Sequence, residues 1–176
     1  MPDILQPVAF ASELLDEVRD FDCGDEPYQQ GLADWLLDDA IPALARGTKV
    51  WLYANQSNEV VGYGSLGLTR WKYPEGDSPK NGLVIIPAVA VRRVFWRKPE
   101  GAADDRYSSQ IMQHLLAEAT AWPGSLPAIG LFVHPENHAA IKLYERFGFR
   151  PFHHAYTDPM SGVLYRTMIR PLARGP

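Results

Sequence analysis

The stretch from Leu131 to Phe149, "LFVHPENHAAIKLYERFGF", sets a phenol, a side-chain amide and a glycine at fixed spacing around apolar residues. "LFV" reads as the end of a buried strand, and Pro135 stops its pairing because proline has no N–H to donate. Asn137 suits a helix N-cap, where its oxygen accepts a backbone N–H and stabilises the helix by about 1 kcal/mol. Ala140, Leu143, Tyr144 and Phe147 recur at helical spacing and mark the buried face. Gly148 fits the left-handed closing residue, and Phe149 restarts the chain as a strand. A helix that follows a parallel strand opens at the sheet's carboxyl edge, where open α/β sheets bind ligands. Asn137 and Tyr144 are therefore candidates for chemistry. Taken singly, each also fits a structural role, one as a cap and the other as a core aromatic.

Other reactive types are more dispersed. Asp22, Glu26 and Glu75 lie in loops or near helix starts and could serve as a base, though each equally suits a solvated surface acid. His134 follows the strand beside the candidate site and could meet a substrate, or be an exposed turn residue. His138, His153 and His154 do not make a metal-ligand set with Cys23, so no metal is expected. "RRVFWRKP" (92–99) mixes four cations with Phe95 and Trp96. That composition fits a nucleic-acid contact, a phosphate grip or a solvated loop.

The chain has 176 residues, which suits a single domain over 1–176. Its formal net charge of −4 argues against a protein built mainly to grip nucleic acid. A single cysteine, Cys23, excludes an intrachain disulfide and fits a reducing compartment. No basic segment followed by a long apolar run opens the sequence, and no apolar run is long enough to span a bilayer. A soluble, cytoplasmic protein without a membrane partner is expected.

The elements that must position the candidates follow from the periodicity. A helical pattern starts at Pro27, with Leu32, Trp35 and Leu36 on one face and Ile41 and Leu44 further on; Pro42 is expected to split it and Gly47 to end it. "KVWLYAN" (49–55) and "NEVVGYGSLGL" (58–68) read as an antiparallel hairpin. "LVIIPAVAV" (83–91) is apolar enough for a strand buried on both faces, with a bulge or interruption at Pro87. "DRYSSQIMQHLLAEATAW" carries an Ile111, Leu115, Ala119 stripe and reads as a helix, and "PAIGLFV" as a second buried strand. Strand, helix and strand in that order predict a right-handed parallel crossover. "RPFHHAY" and "GVLYRTMIR" form a closing antiparallel pair. The segment before Pro27 shows only weak periodicity.

Leu131, Val133, Asn137, Ala140, Ile141, Leu143, Tyr144, Gly148 and Phe149 together resemble motif B of the GNAT superfamily of acetyl-CoA-dependent N-acetyltransferases. The likeness covers about residues 20–169 in element order. It implies a mixed α/β (α+β) fold: a mostly antiparallel sheet of six to seven strands with a parallel inner pair, flanked by about four helices. The implied activity is direct acetyl transfer from acetyl-CoA to a primary amine on a small molecule or peptide. By the same likeness Tyr144 is the general acid for the departing thiolate, and Asn137 helps hold the pantetheine arm. The backbone of Val89, Ala90 and Val91 would pair with that arm, and the pyrophosphate would sit at the start of the following helix. There the sequence departs from the family, placing Arg106 and Ser108 where glycines are usual. Arg106, Arg97, Lys98, Ser108 and Ser109 can offset the repulsion that Asp104 and Asp105 offer a phosphate. Phe21, Cys23, Gly24, Leu32, Trp35, Leu36 and Val60 to Tyr63 are similar to the front half of GNAT toxins, which implies aminoacyl-tRNA as an alternative acceptor. A non-catalytic binding module is the third reading. Homodimers are frequent among proteins of this kind.

Overall fold

The computed structural model describes residues 3–71, 82–96, 107–124, 126–152, 156–159 and 161–173. The chain divides into two compact units, Met1–Leu66 with Ala88–Leu115, and Gly67–Pro87 with Leu116–Pro176.

The first unit holds β1 (Gln6–Ala9), β2 (Lys49–Ala54), most of β3 (Val60–Thr69) and β5 (Val89–Val91). β1 pairs with β2, β2 with β3 and β3 with β5, all antiparallel. The predicted hairpin is β2–β3. Its turn is set by Asn55, whose Oδ1 accepts the N–H groups of Ser57 and Glu59. β1 was not legible because all four of its residues are exposed, as an edge strand allows, so no alternation marks it.

α1 (Pro27–Asp34) and α2 (Ala40–Ala45) are joined by a wider π-turn over Trp35–Asp39. The expected split at Pro42 is thus a loosening of one continuous helical run. A proline ring clashes with the carbonyl four residues back, and a π-turn absorbs that clash without ending the helix. Leu36 and Ala40 join Phe10, Val18, Phe21, Val50, Leu52 and Tyr63 in the core of this unit.

The second unit contains the end of β3, then β4 (Leu83–Ile86), β6 (Ala128–Val133), β7 (Arg150–Pro151), β8 (Tyr156–Thr157) and β9 (Leu164–Pro171). β4 pairs antiparallel with β3 and parallel with β6. β9 pairs antiparallel with β6, β7 and β8. The expected parallel inner pair is β4–β6, in an otherwise antiparallel set of nine strands among the described residues. Nine stand where six to seven were expected, because β1 was missed, Leu83–Val91 forms two strands and the closing strand forms β7 and β8. α3 (Tyr107–Thr120) and α4 (His138–Arg146) complete the four α-helices of the described residues.

The break in 83–91 falls at Pro87 and Ala88, and one side chain repairs it. The buried Ser65 hydroxyl donates to the Ala88 carbonyl at 2.7 Å and accepts the Ala88 N–H at 3.0 Å. Ser65→Ala would leave both groups of a 4% exposed residue unpaired. At roughly 1–3 kcal/mol for each unpaired group, it should cost about 2–6 kcal/mol, measured as a lower urea midpoint at unchanged m-value.

Candidate functional site

β5 presents one edge to β3 and leaves the other open. Arg92 N–H donates to Val61 O at 2.8 Å. Antiparallel alternation then bonds Ala90 to Tyr63 and turns the N–H and C=O of Val89 and Val91 away from β3. Among the described residues β5 pairs with β3 alone. The Val91 carbonyl is taken by the Trp96 indole, whose Nε1–H donates to it at 2.8 Å. Both groups of Val89 and the N–H of Val91 remain as an open backbone edge, suited to an extended amide-bearing chain.

Trp96 has a shaped seat. A Cβ on Gly24 would lie 2.8 Å from its Cη2, and Gly24 has φ +122°, which only glycine adopts readily. The segment after β5 is tied to the loop before α1 by Arg93 N–H to Asp22 O at 2.7 Å and by the ion pairs Arg92–Asp20 (3.0 Å) and Arg93–Asp25 (2.8 Å). Arg92 and Arg93 of the basic stretch are therefore neutralised locally. Asp22, a candidate base, accepts the Gly24 N–H, and Glu26 stands at the N-cap of α1. Glu75, Arg97, Lys98, Asp104, Asp105, His153 and His154 lie outside the described residues, as does Arg106.

Of the residues expected at the phosphate end, Ser108 and Ser109 fall in the first turn of α3, Ser108 half-buried and Ser109 buried. No glycine stands in that turn.

In the second unit the capped helix expected in the 131–149 stretch is α4; Tyr144 is its one buried residue, Ala140, Leu143 and Phe147 of the expected buried face are half-buried, and strand pairing resumes at Arg150. The Asn137 side chain accepts the Ala140 N–H at 3.2 Å as the cap of α4, leaving its amide hydrogens available. Gly148 closes the helix at φ +84°. Tyr144 is 7% exposed, with its ring 5.9 Å from that of Phe149. Burial pushes its hydroxyl well above the usual phenol range, so it stays protonated. Among the described residues no hydrogen bond joins that hydroxyl to another residue, and none of their fully occluded side-chain oxygens or nitrogens lacks a partner. The ring is core; the hydroxyl is unpaired and not sealed. A cavity of about 500 Å³ in this unit takes Ile141 and Glu145 of α4, with Arg166 and Met168 of β9, into its wall, and Tyr144 does not line it. His134, whose Nδ1 accepts the Glu136 N–H, lies 5.8 Å from the Tyr165 ring.

Cys23 and Phe21, read as part of a family signature, are core residues of the first unit. Phe21 meets the Tyr63 ring edge-on at 5.4 Å, Trp35 stacks on Tyr63 at 5.9 Å, and the Tyr63 hydroxyl donates to Leu32 O at 2.6 Å. What sequence reasoning missed is Trp96 as a backbone cap, and Asp3 with Tyr107 at the start of α3. Their only signal was residue type.

A mostly antiparallel sheet with one parallel inner pair, an open β5 edge and a capped helix after β6 define a mixed α/β fold. The model for the acetyltransferase (GNAT) family matches residues 10–149, and the chain belongs to that family. Among solved structures the fold is similar to a mutant of the toxin AtaT bound to the C-terminus of the antitoxin AtaR, at 15% identity over 97% of this chain and 94% of that one, TM-score 0.65. It matches the same toxin solved with AtaR and acetyl-CoA at a TM-score of 0.64, with 15% identity over 97% of this chain and 94% of that one. An acetyltransferase of the GNAT family from Staphylococcus aureus MU50 aligns at 14% identity over 96% of this chain and 99% of that one, TM-score 0.61. Among curated proteins none matches the chain. No helix of the described residues is long and apolar enough to cross a membrane.

Burial, then the Asp22 carboxylate, push the Cys23 thiol up to about 11, and its Sγ donates to Gln29 O. A folded pKa above the unfolded 9.0 gives stability that is full below pH 9 and is lost as pH rises toward 11. Iodoacetamide at pH 8 should alkylate native Cys23 roughly a hundredfold more slowly than the unfolded chain, from thiolate fraction alone. Equal rates would contradict the buried thiol.

Proposed function

We propose that the chain is a cytoplasmic N-acetyltransferase, one domain over residues 1–176, that moves the acetyl group of acetyl-CoA directly onto a primary amine with Tyr144 as general acid. The observation that carries the reading is the Tyr144 hydroxyl, held protonated by burial yet without a hydrogen-bond partner among the described residues. A buried phenol normally finds a partner, so a free one is a donor in waiting. Family membership and the acetyl-CoA found with AtaT support the choice of donor.

The thioester supplies an activated acetyl carbon. The open edge of β5 suits the amide-bearing arm, with Val89 and the Val91 N–H pairing as to an added strand and Ala90 fixing the edge through β3. The free amide hydrogens of Asn137 also serve the arm, and Arg106, Ser108 and Ser109 with the first turn of α3 serve the pyrophosphate. When the amine nitrogen bonds to the acetyl carbon and the carbon–sulfur bond breaks, Tyr144 donates to the sulfur as its charge builds. Because burial makes the phenolate costly, its contribution is a strong hydrogen bond, and the net proton comes from the amine nitrogen. The amine must be neutral to attack, so turnover rises with pH until the acceptor is deprotonated.

A second reading keeps this chemistry and makes the acceptor an aminoacyl-tRNA; the likeness to AtaT supports it. Acetyl-CoA-dependent inhibition of translation in a cell-free extract separates it from the small-molecule or peptide acceptor.

Acetyl-CoA at one hundred times its Kd should stabilise the protein by about 2.7 kcal/mol in thermal unfolding. Tyr144→Phe should keep that stabilisation and lower kcat about a hundredfold. Unchanged turnover removes the acid assignment. No stabilisation at millimolar acetyl-CoA leaves the fold a binding module.

A further inference from the structure

The start of α3 carries a side-chain clamp that the reaction outlined above does not use. The Tyr107 hydroxyl donates to Asp3 Oδ2 at 2.8 Å, and Gln110 Nε2 donates to the Asp3 carbonyl at 3.0 Å. Gln110 Oε1 in turn accepts the Leu5 N–H at 2.9 Å. The other carboxylate oxygen of Asp3 accepts the Gln56 N–H at 3.0 Å, from the turn between β2 and β3. The Tyr107 ring meets the Phe95 ring edge-on at 5.8 Å. Burial, then the hydrogen bond to Asp3, push the Tyr107 hydroxyl up to about 12, so it remains a donor at neutral pH.

The first and fourth residues of α3 are thus bonded to the segment before β1. That segment is anchored in turn to the β2–β3 turn. A helix start has free N–H groups that must be aimed to bind an anion. Where glycines are absent, the aim has to come from elsewhere, and here Asp3, Tyr107 and Gln110 are placed to supply it.

We infer that Asp3, through Tyr107 and Gln110, is a positioning residue that fixes the first turn of α3 for the diphosphate end of the acyl donor. The inference rests on the acetyl-CoA reading above. It assigns the role to hydrogen bonds within the protein, one between side chains and the others from side chain to backbone, with no contact between Asp3 and the donor.

The test compares two acyl donors, acetyl-CoA and S-acetyl-pantetheine, which keeps the thioester arm and lacks the diphosphate. Asp3→Ala and Tyr107→Phe are each expected to raise KM for acetyl-CoA about five- to tenfold, the effect of one or two lost hydrogen bonds. Neither changes kcat, and neither changes KM for S-acetyl-pantetheine. The double variant is no worse than the worse single one, because both cut the same link. Tyr107→Phe removes one oxygen from the helix start and keeps the ring, so it serves if Asp3→Ala does not fold. An unchanged KM for acetyl-CoA in Tyr107→Phe overturns the inference and leaves the acetyltransferase reading standing. Equal losses with both donors, or a fall in kcat alone, overturn it in favour of a general loosening of the fold. A wild-type protein that neither binds nor uses acetyl-CoA overturns both.

Discussion

Pro87 cannot donate to a β-ladder, and the buried hydroxyl of Ser65 takes over the two backbone groups that the break would otherwise strand on Ala88. That exchange lets one apolar run serve two purposes. Before the break, β4 is locked between β3 and β6 with every residue buried. After it, β5 keeps β3 on one edge and leaves Val89 and Val91 facing outward on the other. A continuous strand would satisfy all of these groups within the sheet and have nothing to offer a ligand. The structure tolerates the open edge because β5 is only three residues long and Trp96 closes one of its carbonyls.

The surroundings of β5 hold that edge in place. The Tyr63 ring is packed by Phe21 and Trp35, and the backbone of Tyr63 pairs with Ala90. The glycines of β3 admit α3: a Cβ at Gly64 would lie 3.0 Å from Leu115, and one at Gly62 would lie 2.5 Å from the Ala90 carbonyl and 3.0 Å from Ile111. The aromatic residues that look like a family signature at the front of the chain are thus the supports of the strand, and their chemistry is packing. In the second unit α4 is built on the opposite plan. Its hydrogen-bonding needs are met at both ends by Asn137 and Gly148, and its one buried aromatic keeps an uncommitted hydroxyl.

Much of this was legible in the sequence because it depends on local rules. The proline in 83–91, the cap and closing glycine around α4, and the alternation of the β2–β3 hairpin each follow from one residue's covalent chemistry. The readings that failed depend on long-range pairing. β1 has no buried residue to give it a period, and its strand state comes from the edge of β2. Pro42 reads locally as a break, and the flanking core residues Leu36 and Ala40 hold the run together through a π-turn. Asp3 meets Tyr107 across 104 positions and Trp96 turns back on Val91, and neither contact leaves a periodic trace. Tyr144 sits between these cases: its burial was legible, and the lack of a hydrogen-bond partner for its hydroxyl among the described residues was not.

The central claim is that the outward edge of β5 is where an acyl donor's arm pairs. Amide hydrogen exchange resolved at single residues tests it most directly. Saturating acetyl-CoA should slow exchange at the N–H groups of Val89 and Val91 and leave Ala90, already bonded to Tyr63, as it was. Protection that appears elsewhere while Val89 and Val91 exchange at their free rates would contradict the account.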